Sequence, residues 1–381
     1  MLHIVVGLSY GDESKAAVTD RICHQHKVDF AVRWGGGPNA GHTLYGGPDK
    51  VKVVLRQLPG CTYPGVAKYI IGPGCVVDFD TLVEDIRALE ALGLSVRDKL
   101  LVDYRCPVIR PGHRDRDKAE NGHLGTTNRG VGPCYSDFVA RKGMQVGQFG
   151  LSTLEMSLRE ENRGVLDPTK NFVDTTEFMY RSVDPWSKTI VACGAQGAEL
   201  DLIHGSWPFV TSTQVIAPSF FSTFGLGGWQ ALNVPTKVWG VSKFYVTKVG
   251  EGPFPTELGE SEKLTAFRNL AGEYGANTGR PRKIGYLDLK ALKRAVEVNG
   301  VNTLVMAKAD LIGAFSEAVE GFKAYTDYDG ENSCLDLSGL QPEEIIKLTI
   351  AAITDRSPLI YQAYISSSPY LDGMSEVDLY E

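Results

Sequence analysis

Gly7 to Lys15 (Gly-Leu-Ser-Tyr-Gly-Asp-Glu-Ser-Lys) sets two carboxylates and a lysine inside a glycine-bearing turn. The apolar run Ile4-Val5-Val6 precedes it and Ala16-Ala17-Val18 follows. A strand-to-helix turn of this kind leaves backbone N–H groups free to hold phosphate. A carboxylate beside a phosphate-binding lysine suits holding a metal ion or removing a proton during phosphoryl transfer. Gly35 to Thr43 (Gly-Gly-Gly-Pro-Asn-Ala-Gly-His-Thr) is a second glycine-rich stretch, one that lets backbone approach a ligand closely and carries His42. In Gly275 to Lys283, the cations Arg280, Arg282 and Lys283 crowd the end of the stretch and point to an anion. Singly these are weak signals, since glycine turns often serve only tight geometry and a lone His is more often a satisfied polar residue.

The elements that must position these stretches read as an α/β alternation. Ile4 to Val6 and Asp29 to Arg33 are strand candidates joined by a helix from about Ser14 to His26, a βαβ start that predicts parallel pairing. Lys68 to Gly72 and Leu100 to Asp103 add strands, with an amphipathic helix over Asp80 to Leu92 between them. Pro111 to Pro133 loses periodicity and reads as a long functional loop. Residues 150–188 read as helical with a loop near Pro168 and carry no functional signal. Thr189 to Ala192, Val238 to Val249 and Leu304 to Ala307 complete the strands, with helices over Leu287 to Val298 and Pro342 to Ile353.

The 381 residues can bury a sizeable core, and the absence of a linker or repeat favours a single domain over 1–381. A formal charge of −7 argues against direct nucleic-acid binding or an anionic membrane surface. With no leader-like start and no long apolar run, the expected location is the cytoplasm, a host's if the source is viral. Seven scattered cysteines without a C-x-x-C pair fit reduced thiols. Cys23, His24 and His26 lack a partner cluster, and buried packing is the plainer reading than a metal clip.

The order of the motifs is more specific than any one of them. Gly11-Asp12-Glu13-x-Lys15, Asn39-Ala40-Gly41-His42-Thr43, Gly125-Thr126-Thr127, Gly194-Ala195-Gln196-Gly197, Val210-Thr211-Ser212, Gly252 to Glu257 and Thr278-Gly279-Arg280-x-Arg282 together resemble the adenylosuccinate synthetases. The resemblance spans nearly the whole chain. It implies an α/β fold with a large, mainly parallel central sheet flanked by helices and P-loop-like topology, although no complete Gly-x4-Gly-Lys-Ser/Thr motif is present. It also implies a C–N bond-forming ligase that joins L-aspartate to C6 of a 6-oxopurine nucleotide through a 6-phosphoryl intermediate, with a nucleoside triphosphate and Mg²⁺.

Carried over residue by residue, Asp12 matches the base at purine N1 and His42 the acid assisting transfer to O6, with Lys15 and Gln196 completing the catalytic set. Mg²⁺ falls to Asp12 and the Gly41 carbonyl. The purine nucleotide falls to Ser14, Asn39, Thr126, Thr127, Gln196, Thr211 and Arg280, joined by Arg141 from the opposite subunit, which implies a homodimer. Arg129, Thr278, Arg280 and Arg282 match the aspartate pocket, where guanidinium forks suit carboxylates. Gly11, Glu13, Lys15, Gly41, Thr43, Lys308 and Asp310 match the triphosphate site.

The departures bear on substrate. Ordinary members read Gly-Asp-Glu-Gly-Lys in the first turn, whereas Ser14 here adds a hydroxyl that can accept from a purine 2-amino group. The same change marks the phage-type relatives that make 2-aminoadenylosuccinate from (d)GMP; drift at a tolerant position is the plainer alternative. Lys308-Ala309-Asp310 keeps part of a guanine site, so GTP stays open, while the tail Ser366-Ser367-Ser368-Pro369 lacks the family's glycine and favours ATP or dATP. Asn128, Asn277 and Glu251 are further swaps in the pocket motifs. The expected substrate is therefore dGMP (or GMP), with IMP and GTP as the alternative and a non-ligase nucleotide switch as a third reading.

Overall fold

A computed structural model describes residues 1–379 except 183–186, 276–278, 320, 330–332 and 355–359; the side chains of 182 and 229–231 are likewise outside it. The core is a ten-stranded sheet. Its strands are β1 (Leu2–Gly7), β2 (Phe30–Arg33), β3 (Lys68–Ile71), β4 (Leu100–Asp103), β5 (Phe172–Val173), β6 (Ile190–Cys193), β7 (Thr236–Lys243), β8 (Thr303–Ala307), β9 (Gln362–Ser366) and β10 (Met374–Val377). They lie in the order β10-β9-β8-β7-β1-β6-β2-β3-β4-β5, all parallel except β10, which runs antiparallel along β9. The expected fold class is the one observed.

Residues 2–7 are almost wholly inaccessible, as a parallel strand covered on both faces requires. Leu2, Ile4 and Val6 enter one apolar cluster with Phe220, Phe267, Leu292 and Ile346, while Val5 faces the other with Ile22 and Leu82. The helices α1 (Lys15–His26) and α2 (Phe79–Glu90) therefore cover one face, and the helices Pro218–Thr223, Glu262–Ala271, Leu289–Asn299 and Pro342–Ile353 cover the other.

Register aligns the carboxyl ends. Gly7 pairs with Val241, Arg33 with Cys193, and Ala307 with both Lys243 and Ser366. The chain reaches β2 from β1 by crossing β6, and reaches β7 from β6 by crossing β1. Strand order thus reverses around β1, and a crevice opens beyond the carboxyl ends at such a point. The turns after β1, β2, β6, β7, β8 and β9 all issue there.

Four expectations need correction. Pro111 to Pro133 is mostly helical, with α3 (Pro111–Glu120), a 3-10 turn at Gly122–Leu124 and α4 (Val131–Val139). The apolar stripe that would have announced α3 is missing because polar contacts hold it: His113 accepts from Arg110 N at 3.1 Å and meets Asp137 at 3.1 Å. The expected strand Val238 to Val249 breaks after Lys243, and Val246–Lys248 pairs antiparallel with Lys283–Gly285 in a separate ribbon. That break carries the Arg282 segment to the mouth of the crevice. His42 is not in a loop but opens the strand His42–Gly46, paired with Val51–Leu55. Among the described residues of 150–188 lie the α-helices Leu151–Ser157, Pro168–Asn171 and Thr175–Ser182, a 3-10 turn at Glu160–Asn162 and the unforeseen strand β5; the expected loop falls over 163–167, just before Pro168.

No disulfide joins any of the seven cysteines among the described residues, and six are buried. No group of three metal-ligating side chains is found among the described residues, and none of their helices is long and apolar enough to cross a membrane.

Candidate active site

A cleft of about 950 Å³ opens beyond β1, near the upper end of the usual range for ligand sites. The first turn is its floor. Gly11, Asp12 and Ser14 all take positive φ, at 92°, 59° and 70°. For the two non-glycine residues that left-handed backbone is uncommon. Glu13 closes the turn from inside: its carboxylate accepts from Ser9 N at 3.0 Å and Gly11 N at 2.8 Å and pairs with Lys15 Nζ at 2.6 Å. The Glu13 carboxylate is thus spent inside the turn, which leaves the backbone N–H as what this residue can offer a triphosphate. Close packing fixes the neighbouring turn as well. A Cβ on Gly197 would lie 2.2 Å from Ser9 O and 2.7 Å from Gly11 N, so only glycine lets the 194–197 turn lie against the first.

His42 is buried against Arg33, whose Nη1 lies 3.2 Å from Nδ1 and 3.3 Å from Nε2, and Cys193 Sγ is 3.6 Å from Nδ1. Burial, then the charges of Arg33 and Lys15, hold the imidazole well below its usual pKa. A guanidinium only donates, so the ring beside it is neutral, with one N–H to give and one lone pair to accept.

A buried line of charge runs from the floor to the back wall. Asp12 Oδ2 is 2.9 Å from Arg282 Nη2; Arg282 Nη1 donates to Glu273; Glu273 Oε1 lies 3.0 Å from Lys243 Nζ and accepts from Tyr245 OH at 2.7 Å. Two carboxylates thus face two cations. Burial pushes the Glu273 carboxyl up, but the charges of Lys243 and Arg282 and the Tyr245 hydroxyl outweigh it and hold it at about 2. Burial lowers the Lys243 ammonium, with Glu273 opposing.

The cleft gathers Gly11, Asp12, Glu13, Ser14, Lys15, Asn39, Gly41, His42, Thr43, Thr126, Thr127, Gln196, Thr211, Arg280, Arg282, Lys308 and Asp310. Arg280 donates to Gly125 O at 2.7 Å, and Thr126 Oγ1 donates to Asp117 at 3.1 Å, which orders the 125–127 segment. Buried Gln196 Oε1 has no hydrogen-bond partner among the described residues. Arg129 and Arg141 do not line the cleft, and Thr278 and Asn277 lie outside the described residues. Glu251 and the tail residues Ser366, Ser368 and Pro369 do line it. The sequence reading missed Arg33, Asp117, Lys243 and Glu273. Arg33 and Lys243 had a signal: each is a cation ending a parallel strand, Arg33 directly after the apolar Phe30-Ala31-Val32, and each precedes a turn.

A crevice at a topological switch point, with an amide-lined turn for phosphate and a guanidinium for carboxylate, defines an α/β nucleotide-binding enzyme. The adenylosuccinate synthetase family model matches residues 4–171 and 153–343. The chain is 38% identical to the adenylosuccinate synthetase of Cytophaga hutchinsonii over 83% of its own length and 78% of that protein's, and 32% identical to that of Syntrophomonas wolfei over 97% and 94%. Its fold matches the fully ligated adenylosuccinate synthetase of Plasmodium falciparum with a TM-score of 0.80 at 24% identity, covering 99% of both chains. It also matches the succinoaminodeoxyadenylate synthetase of cyanophage S-2L, bound to dGMP and dATP, with a TM-score of 0.71 at 22% identity, covering 99% and 95%. The chain belongs to the adenylosuccinate synthetase family and is a C–N ligase that condenses aspartate with a purine nucleotide.

The neutral state of His42 has a measurable consequence. In the unfolded chain the ring titrates near its usual value of about 6.5, so below that pH the unfolded state takes up a proton that the folded state refuses. Its contribution to stability is present above that pH and falls by up to about 1.4 kcal/mol per unit as the pH drops further. Urea unfolding of wild type and His42→Asn at about pH 7 and about pH 5 should show the wild type losing more stability on acidification. Equal losses would show that the ring is protonated in the folded protein.

Proposed function

We propose that this ligase acts on dGMP (or GMP), with ATP or dATP as phosphoryl donor, and yields 2-aminoadenylosuccinate. The carrying observation is Ser14. It sits at φ 70°, where glycine is unstrained, makes no capping bond to α1, and lines the cleft two residues from Asp12. A side chain kept in a disfavoured backbone region suggests use of its hydroxyl. Such a hydroxyl can accept from a purine 2-amino group, which IMP lacks. That the cyanophage protein of the same fold binds dGMP and dATP supports the reading. The competing reading, IMP with GTP, is favoured by the bacterial relatives at 32% and 38% identity and by Asp310 in the cleft, a carboxylate suited to guanine.

In this proposal Asp12 takes the proton from N1, which makes O6 the nucleophile toward the γ-phosphorus. Neutral His42 donates a hydrogen bond to the oxygen gaining charge, and Lys15 stands by the phosphates. Aspartate, its carboxylate on Arg282, then attacks C6 through its amine and phosphate leaves. Gln196 holds the purine edge, Arg280 and Thr211 the sugar phosphate, and Lys308 and Asp310 the donor's base. Mg²⁺ suits a site with one carboxylate and a carbonyl, because it keeps waters and shares substrate phosphates. Asp12, only one-third exposed and facing the cleft, with the Gly41 carbonyl nearby, would hold it. Bound there, the ion would neutralise charge on the donor phosphates. The chain works as one unit over 1–381 and as a homodimer, with Arg141, exposed on its turn outside the cleft, reaching the partner's site.

Phosphate release measured in parallel with dGMP, GMP and IMP decides the substrate: dGMP or GMP should lead, and a strong preference for IMP overturns the reading. Ser14→Gly should narrow the preference by about tenfold, the worth of one hydrogen bond. Asp12→Asn and His42→Asn should each lower kcat by about 10²-fold with little effect on Tm, and near-normal turnover in either would refute its role. Mixing Arg141→Leu with Asp12→Asn protomers should regain part of the activity through hybrid sites; no recovery on subunit exchange would deny a shared site.

A further inference from the structure

Arg282 spends its donors unequally. Nη1 is given to Glu273, Nη2 lies 2.9 Å from Asp12 Oδ2, and buried Nε has no hydrogen-bond partner among the described residues. The Nε–Nη2 side of a guanidinium is one of its two-pronged faces for a carboxylate. Arg105 shows the full pairing in this chain, with Nε on Asp103 Oδ1 at 2.8 Å and Nη2 on Oδ2 at 2.7 Å. At Arg282 the same side is half used.

The opposite side is fixed. Glu273 is inaccessible to solvent and binds Arg282 twice, through its side chain and by accepting from Arg282 N at 3.0 Å with its backbone carbonyl. Lys243 and Tyr245 hold Glu273 in turn. The guanidinium is thus pinned from behind, and its half-used side is the one that meets Asp12, a residue lining the cleft.

We infer that Glu273 is a positioning residue for the amino-acid substrate: it locks Arg282 so that the Nε–Nη2 side takes the incoming carboxylate in place of Asp12, which is thereby released toward the nucleotide. Lys243 supplies the counter-charge that keeps Glu273 ionised inside the protein and does not itself orient Arg282. One carboxylate replaces another on one fork, so the buried charge stays balanced and Nε gains the acceptor it lacks.

This rests on the proposed role of Arg282 in holding aspartate, and it is independent of the purine. The assay therefore uses whichever 6-oxopurine nucleotide the wild type turns over, so that a preference for IMP would overturn the dGMP reading and leave this test intact. Glu273→Gln should raise KM for aspartate tenfold or more while KM for the nucleotide stays within about twofold. Glu273→Asp keeps the charge of the cluster, and so its folding, but withdraws the carboxylate from Nη1; it should raise KM for aspartate in the same direction. Leu292→Ala, in the apolar cluster and outside the cleft lining, is the control for destabilisation: it should lower Tm while leaving KM for aspartate within about twofold. Unchanged KM for aspartate in both Glu273 variants, or an equal rise in Leu292→Ala, overturns the inference.

Discussion

A charge at the end of a parallel strand that is covered on both faces must be paired within the protein, and the active cleft depends on that constraint. The carboxyl ends of β2 and β7 finish in Arg33 and Lys243, both nearly inaccessible. Neither can keep its charge there without nearby partners, since an isolated buried ion costs several kcal/mol. Lys243 is answered by Glu273 and Glu273 by Arg282. Arg33 lies against a ring held neutral rather than against a carboxylate. Pairing of this kind adds little to stability compared with an apolar core of the same shape, but it fixes where each functional group points.

The first turn obeys the same constraint by local means. Glu13 satisfies two backbone N–H groups and the Lys15 ammonium, so the turn holds its shape without a ligand. Its residues from Tyr10 to Lys15 line the cleft at the start of α1, and the glycine at 197 allows a second turn to lie directly against it. Preorganised amides that need no rearrangement suit a phosphate whose charge moves during reaction.

The strands and long helices were legible because their signals are local. Apolar runs of three or four residues gave β1, β2, β4 and β8, and the amphipathic pattern gave α2. The helix α3 was not legible, because Arg, Asp and Lys dominate it and its buried contacts are made by His113 and Asp117. The break between Lys243 and Val246 was hidden inside one continuous apolar reading. Most of the residues singled out by motif order line one cleft. Lys243, Glu273 and Arg282 could not be joined in advance, because 30 residues separate the first pair and their pairing exists only once β7 and the Lys283–Gly285 ribbon have folded together.

What the fold cannot carry is the identity of the purine. Two solved structures match this fold with TM-scores of 0.80 and 0.71, yet one is described as an adenylosuccinate synthetase and the other as a succinoaminodeoxyadenylate synthetase. Serine at position 14 takes the left-handed backbone that glycine adopts without strain, so either residue suits the same path of the chain. It alters one hydroxyl among the many groups lining the cleft. Discrimination between a purine with a 2-amino group and one without requires no more than a single acceptor in reach, worth roughly 1 kcal/mol or more, which is small beside the energies that shape a sheet. Reaction class is therefore spread over the ends of six strands, whereas substrate choice can rest on one side chain, and only a comparison of substrates on this chain separates the two.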